Sequence, residues 1–367
     1  MRFPAWQRWQ SVPDGKMLEH GDNDVTIARN GRAGRITMNR PAALNALTHA
    51  MVGRIWQALL AWRDDPGVEV VVIDGAGGKA LCAGGDVRAL YASRSQGSGT
   101  ARAFWSGEYR LNALIGRYPK PFLAVQDGIV MGGGIGLSAH ARHRVVTERS
   151  RLAMPETGIG LVPDVGATWL LARAPGECGM FLGLTGEAMT AADAIYAGFS
   201  DLFIPSAKIA GVVERLTTPA GGPIDDILKA AKEDPGRAVL PSRQGEIDPA
   251  FRGASVEAIV AALSRLNHDW ARETVATLAL KSPKALKLTH AAVRNARSLG
   301  SLEQALNVEF RLTVRLFEDG EFPEGVRALL IAKDRQPRWQ PPRLEEVEPA
   351  SVARYLAPLP AAEELGL

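Results

Sequence analysis

Two carboxylates share an otherwise uncharged run, Ala153-Met154-Pro155-Glu156-Thr157-Gly158-Ile159-Gly160-Leu161-Val162-Pro163-Asp164. Each directly follows a proline. Proline fixes φ and removes a backbone donor, so Glu156 and Asp164 sit on stiffened turns. A rigid, apolar setting penalises ionisation and is where carboxylate pKa values move. The pair therefore suits acid–base or nucleophilic chemistry. The residues alone allow a second reading, two turn acids that cap short helices.

Acids of this kind need a partner that polarises an electrophile, and two glycine turns can supply one. Gly77-Gly78-Lys79-Ala80-Leu81-Cys82-Ala83-Gly84-Gly85-Asp86 follows the β-branched run at residues 68–73. Met131-Gly132-Gly133-Gly134-Ile135-Gly136 follows the apolar run at residues 122–125. Glycine permits positive φ and close backbone approach. Backbone N–H groups left pointing outward from such turns suit a developing oxyanion, and one donor contributes about 10²–10³ in rate. Residues 132–136 do not match G-x-G-x-x-G, and no Walker pattern occurs, which disfavours a nucleotide loop. Two purely structural tight turns stay open as a reading.

Other chemistries find little support. The six histidines show no H-E-x-x-H pattern, and no metal site is expected. A G-x-S-x-G nucleophile elbow is absent. Cys82 reads as a small buried filler. Trp105 and Tyr109, at helical spacing around Glu108, read as core packing.

The positioning elements alternate. Val25-Thr26-Ile27-Ala28 and Arg35-Ile36-Thr37-Met38 read as strands around the Asn30-Gly31 turn. Residues 49–64 and 101–118 carry apolar residues at helical spacing. Residues 68–73, 122–125 and 144–147 read as strands, with a helix from the glycine triplet to His140. Buried strands alternating with helices predict an α/β architecture. Thr190 reads as the N-cap of a helix at residues 191–197, stopped by Gly198. Pro219-Ala220-Gly221-Gly222-Pro223 reads as a linker, after which the chain turns helical at residues 255–266, 283–298 and 301–318. Ser301 and Gln304 form a capping-box pattern. The division expected is a core at 20–216, a helical portion at 217–350 and a tail at 351–367. The Pro- and Glu-rich stretch from Pro337 is expected to wrap loosely or fray.

The chain has 367 residues, 46% hydrophobic and 23% charged, ordinary for a globular protein. A net charge of +3 offers no nucleic-acid-scale basic surface. No apolar run reaches the ~18 residues of a membrane span. Two cysteines make no disulfide framework, and residues 6–10 interrupt any signal-peptide core. An intracellular, cytoplasmic protein is the expectation.

These motifs together resemble the crotonase superfamily, the enoyl-CoA hydratases and isomerases. The matching blocks are Asn39-Arg40-Pro41-Ala42-Ala43-Leu44-Asn45-Ala46-Leu47, both glycine turns, and residues 153–164. Further blocks, Val308-Glu309-Phe310-Arg311-Leu312, Glu324-Gly325-Val326-Arg327-Ala328, Lys333-Asp334 and Pro337-Arg338-Trp339, resemble the hydrolase branch. The likeness runs from about residue 25 to residue 347.

The resemblance implies a spiral of ββα units with a helical C-terminal portion, holding an acyl-CoA thioester. It implies an oxyanion hole from the N–H groups of Gly85 and Gly133. It places CoA-cradling backbone at Ala46, Ala83 and Val87, the catalytic acid at Glu156, and the second acid at Asp164. Glu108 falls where the hydrolases hold the polar end of the acyl group. The hydratases carry a second glutamate where this chain has Gly136, so hydration of a double bond is disfavoured. The implied activity is hydrolysis of a short 3-hydroxyacyl-CoA, in particular a branched four-carbon acyl group of valine catabolism. Glu156 attacks the carbonyl or activates a water, and Asp164 orients the acyl hydroxyl or a water. No cofactor beyond the substrate's CoA is implied, and no nucleic-acid or membrane partner. The superfamily's habit is a trimer or hexamer. Lys79, Arg88 and Lys120 are candidates for the CoA phosphates. Two alternatives remain: a hydratase or isomerase using Glu156 alone, and a catalytically silent acyl-CoA-binding protein.

Overall fold

In the computed structural model, which describes residues 23–367, the Asn30-Gly31 turn closes a hairpin. Strands β1 (Val25–Asn30) and β2 (Ala33–Met38) pair antiparallel, Val25 opposite Met38 and Asn30 opposite Ala33. Gly31 takes the positive φ, 58°, that this tight turn requires. Helix α1 (His49–Arg63) follows, capped by Thr48, whose side chain accepts from the Met51 N–H. Residue 20, the expected start of the core, and residues 6–10 lie outside the described residues.

From here the chain splits each pair of strands between two sheets. β3 (Val70–Gly75), β5 (Phe122–Gln126), β7 (His143–Val146) and β9 (Leu202–Phe203) extend the hairpin in parallel, in the order β1-β2-β3-β5-β7-β9. The intervening β4 (Ala80–Cys82), β6 (Ile129–Met131) and β8 (Arg151–Ala153) form a second parallel sheet, β4-β6-β8. After each such pair the chain turns helical: α2 (Val87–Ser93) and α3 (Gly99–Gly116), then α4 (Gly133–Ser138), then α5 (Ala167–Leu171). This is the repeated ββα arrangement.

β3 shows why its sequence is a continuous apolar run. Val71 and Ile73 belong to the main core, whereas Val70 and Val72 belong to a second core on the opposite face. That second face is covered by α8 (Ser206–Thr217) and α9 (Ile224–Ala231), which follow α6 (Cys178–Thr185) and α7 (Ala191–Tyr196). Thr190 caps α7 as expected, its hydroxyl accepting from the Asp193 N–H. The strand starts at Val70 rather than Val68 because the approach is a clamped loop. Lys120 Nζ donates to the carbonyls of Trp62, Asp65 and Val68 at 2.6, 2.6 and 2.7 Å. Lys120 is thereby committed to the fold and is withdrawn as a CoA-phosphate candidate.

The remaining helices are α10 (Leu240–Phe251), α11 (Val256–Arg265), α12 (Asp269–Ala279), α13 (Pro283–Ala296), α14 (Leu302–Glu318), α15 (Glu321–Val326) and α16 (Pro349–Leu356). Ser301 caps α14 through the Gln304 N–H, while Gln304 Oε1 accepts from Gly300, one residue before the partner a capping box uses. Phe251, Leu286, Leu306 and Phe317 share one core with Ile36 and Leu81 of the strands. The tail does not fray. Arg315 donates to the carbonyls of Tyr355, Ala357 and Pro358, Arg311 pairs with Glu364, and Arg110 donates to Leu365 O. Tyr355 and Leu365 are buried, so two apolar anchors and an arginine ladder hold a stretch whose composition reads as loose.

The Lys120 clamp gives a direct test. Lys120→Met removes three charged hydrogen bonds and is expected to cost about 2–3 kcal/mol in denaturant unfolding, with KM for acyl-CoA unchanged. A raised KM at unchanged stability would restore the phosphate role.

Candidate active site

β4 and β6 are neighbours in the small sheet, with Ala80 opposite Ile129 and Cys82 opposite Val130. The two glycine turns therefore leave adjacent strand ends side by side. Close approach explains the glycines. A Cβ on Gly134 would stand 2.1 Å from Cys82 O, and one on Gly133 only 3.4 Å from the Gly85 nitrogen. Gly84 and Gly132 take φ of 117° and 47°, conformations that L side chains avoid. Among the described residues, neither the Gly85 nor the Gly133 N–H has an acceptor. Two adjacent free donors are what a developing oxyanion needs. Cys82, buried with its thiol pushed up to about 12 by burial, is the filler its position suggests.

The acids arrive from two sides. β8 runs into Met154-Pro155 and a 3-10 turn at Glu156–Ile159, which presents Glu156. A Cβ on Gly132 would stand 3.0 Å from Glu156 Oε1, and one on Gly133 2.5 Å from Glu108 Oε1. Both carboxylates thus face the glycine triplet. They share with Asp164 a cleft of ≈ 180 Å³ whose walls include Phe104, Trp105, Phe322 and Leu330. Glu108, Glu156 and Asp164 are 2%, 5% and 4% exposed. Glu108 Oε1 and Glu156 Oε2 have no hydrogen-bond partner among the described residues.

Electrostatics follow from that burial. Glu108 and Glu156 are held well above the usual carboxylate range, first by burial and then by the neighbouring Asp164 charge. Asp164 is pushed up to about 7 by burial, against the hydrogen bond that Tyr109 donates to its Oδ2 at 2.6 Å. The half-buried Lys281 ammonium draws Glu156 back towards ionisation. The three acids therefore share protons as a group rather than ionising together.

Of the eight residues expected to build the catalytic site and the CoA cradle, all but Ala46 line this cleft. Ala83 and Val87 line it, together with Gly85 and Gly133. Ala46 lies beside it, on a loop laced to the first glycine turn by Ala83 N–H to Leu44 O at 3.0 Å and Leu47 N–H to Gly84 O at 2.8 Å. Lys79 and Arg88 are exposed.

Gly136 has a structural reason beyond the missing acid. A Cβ there would stand 2.7 Å from Asn112 Nδ2 and 2.7 Å from Val165 Cβ. Asn112 is fully buried with both side-chain polar atoms unpartnered among the described residues. No carboxylate fits at Gly136 without rebuilding this wall.

Sequence reasoning missed several residues. Tyr109 is core packing only in part, since its hydroxyl holds Asp164. Glu309 of α14 accepts from the Gly166 and Thr168 N–H groups and the Thr168 hydroxyl. Its identity as a charged residue on the apolar face of a helix is the signal that could have found it. His140 hydrogen-bonds Val165 O at 2.8 Å and is pushed down to about 4 by burial, a core histidine. Among the described residues, no helix is long and apolar enough to cross a membrane.

The enoyl-CoA hydratase/isomerase family matches residues 33–356. The 3-hydroxyisobutyryl-CoA hydrolase, mitochondrial, of Xenopus tropicalis is 40% identical over 98% of this chain and 96% of its own length. The human protein of that name is 38% identical over 94% of this chain and 92% of its own length. Among solved structures, a carnitinyl-CoA dehydratase from Mycobacterium thermoresistibile superposes with a TM-score of 0.89 and 43% identity, covering 94% of this chain and 98% of that one. An enoyl-CoA hydratase from Rhodobacter sphaeroides gives 0.88 and 45%, covering 93% and 99%. With both glycine turns, both proline-led acids and the C-terminal helices accounted for over nearly its full length, the chain belongs to the enoyl-CoA hydratase/isomerase, or crotonase, family.

Proposed function

We propose that this chain hydrolyses 3-hydroxyisobutyryl-CoA to 3-hydroxyisobutyrate and CoA, a step of valine catabolism. The observation that carries this reading is the convergence of two free N–H donors with Glu156, Asp164 and Glu108 in one cleft, while Gly136 excludes a further acid. Curated relatives 38% and 40% identical to this chain bear the hydrolase name. Two solved neighbours bear the names carnitinyl-CoA dehydratase and enoyl-CoA hydratase. The absent carboxylate at Gly136 favours the hydrolase reading over dehydration or hydration.

In the mechanism, the thioester oxygen points at the Gly85 and Gly133 N–H groups, which stabilise its growing charge in a dry site. Glu156 either attacks the carbonyl, breaking the C–S bond and giving a mixed anhydride that water then hydrolyses, or takes a proton from a water that attacks the thioester directly; Lys281 favours the ionised form that both routes require. Asp164 and Glu108 hold the acyl hydroxyl, and a protonated member of the cluster protonates the leaving thiolate. The buried, unpaired Cys82 and Cys178 suit a reducing compartment; the hydrolase relatives are labelled mitochondrial.

Three expected outcomes follow. Glu156→Gln lowers thioester turnover by about 10²–10⁴-fold in a thiol-release assay while CoA affinity persists; turnover near wild type sinks the role. Gly136→Ala lowers stability by about 1–3 kcal/mol, and Gly136→Glu yields no hydration of crotonyl-CoA, because the Asn112–Val165 wall leaves no room. Hydratase activity in a well-folded Gly136→Glu would overturn that reason. The third concerns pH. Glu108 keeps its proton in the folded state above the pH where the unfolded chain releases it. Its contribution to stability therefore falls as pH rises from the unfolded value towards the raised folded one. Gln carries no such loss, so the Tm of Glu108→Gln relative to wild type should rise between pH 5 and pH 8. A constant difference would show Glu108 to be ionised throughout.

A further inference from the structure

Asp164 opens a turn that the chain does not adopt cheaply. Val165, a β-branched residue, takes φ of 55°, and Gly166 takes 83°. A Cβ on Gly166 would stand 2.5 Å from His140 Nε2, so only glycine fits there. Such a conformation persists where the surroundings over-determine it.

The surroundings here come largely from α14. Glu309 Oε2 accepts from the Gly166 N–H at 2.6 Å. Its Oε1 accepts from the Thr168 N–H at 2.9 Å and the Thr168 hydroxyl at 2.5 Å. One turn on, Thr313 Oγ1 lies 3.3 Å from the Tyr109 hydroxyl, which donates to Asp164 Oδ2 at 2.6 Å. Positions four apart share one helix face, so a single stripe of α14 reaches both the turn and the carboxylate. Tyr109, Glu309 and Thr313 are each 0% exposed, and none lines the cleft. They cannot touch substrate. Among the described residues, no cation pairs with Glu309. An unpaired buried acid is destabilising, so an apolar helix face would serve packing better.

We infer that Tyr109 and Glu309 are positioning residues that aim Asp164 at the substrate, which makes helix α14 part of the catalytic apparatus. This rests on the proposed role of Asp164. The groups facing Asp164 are Glu108 and Tyr109 from α3, Glu156 from its 3-10 turn and Glu309 from α14. Lys281 lies beyond Glu156, and the neutral His140 sits against Val165 O.

The test is a set of steady-state pH profiles for Tyr109→Phe and Glu309→Gln on 3-hydroxyisobutyryl-CoA, with Tm measured in parallel. Loss of positioning is expected to lower kcat by about tenfold with KM within about threefold. Tyr109→Phe also removes a donor to the ionised form of Asp164. The kcat midpoint governed by the acid cluster should therefore move upward by about one pH unit. If Tm falls while kcat and the midpoint stay at wild type, the residues are merely structural and the inference is overturned. Should Glu309→Gln fail to fold, Thr168→Val and Thr313→Val remove single hydroxyls from the same network. Wild-type kcat in both would overturn the inference equally. Asp164→Asn is the control. If it retains turnover, the role of Asp164 and this inference both fall; if it loses turnover while the other profiles are unchanged, this inference alone falls.

Discussion

Burying three carboxylates in one apolar cleft is the constraint on which this structure turns. Among the described residues, Lys281, itself half-buried, is the one cation drawing on the trio of Glu108, Glu156 and Asp164, which is too little to offset full ionisation. The fold holds them by sharing protons and by directing individual donors at individual oxygens, as Tyr109 does at Asp164. Such an arrangement costs stability. It also yields acids that keep their protons well above the usual carboxylate range, Asp164 being pushed up to about 7.

The scaffold is built to meet that constraint. The strand pairs are divided between a large sheet, buried on both faces, and a small sheet whose strand ends bring the glycine turns together. Parallel strands deliver both turns to the same edge, so the free Gly85 and Gly133 N–H groups stand side by side although their segments are nearly fifty residues apart. The C-terminal helices then close the site. α15 supplies Phe322 to the cleft wall, and α14 supplies Glu309 to the Asp164 turn. The helical portion is thus part of the site rather than an appendage to it.

Much of this was legible in the sequence because it is encoded locally. The Asn30-Gly31 hairpin, the Thr190 and Ser301 caps, and the proline-led acids announce themselves within a few residues. The small sheet did not, because β4, β6 and β8 are three residues each and carry no periodicity. Nor did the Glu309 contacts, which span 141 to 143 positions of sequence. Lys120 misled for a related reason. A lysine beside a β-strand reads as a surface cation, and only the three-dimensional loop reveals the carbonyls around it. Composition misjudged the tail in the same way, since three arginines hold its backbone from helices far upstream in sequence. Gly136 was legible as an empty position, but the Asn112–Val165 wall that keeps it empty was not.

In the proposed function this cleft breaks a thioester rather than hydrating a double bond. The most direct measurement follows free thiol and enoyl absorbance together, on purified protein, with 3-hydroxyisobutyryl-CoA and crotonyl-CoA as parallel substrates. Thiol release matched by 3-hydroxyisobutyrate formation is expected on the first, and no loss of enoyl absorbance on the second. Hydration of crotonyl-CoA without thiol release from either substrate would contradict it.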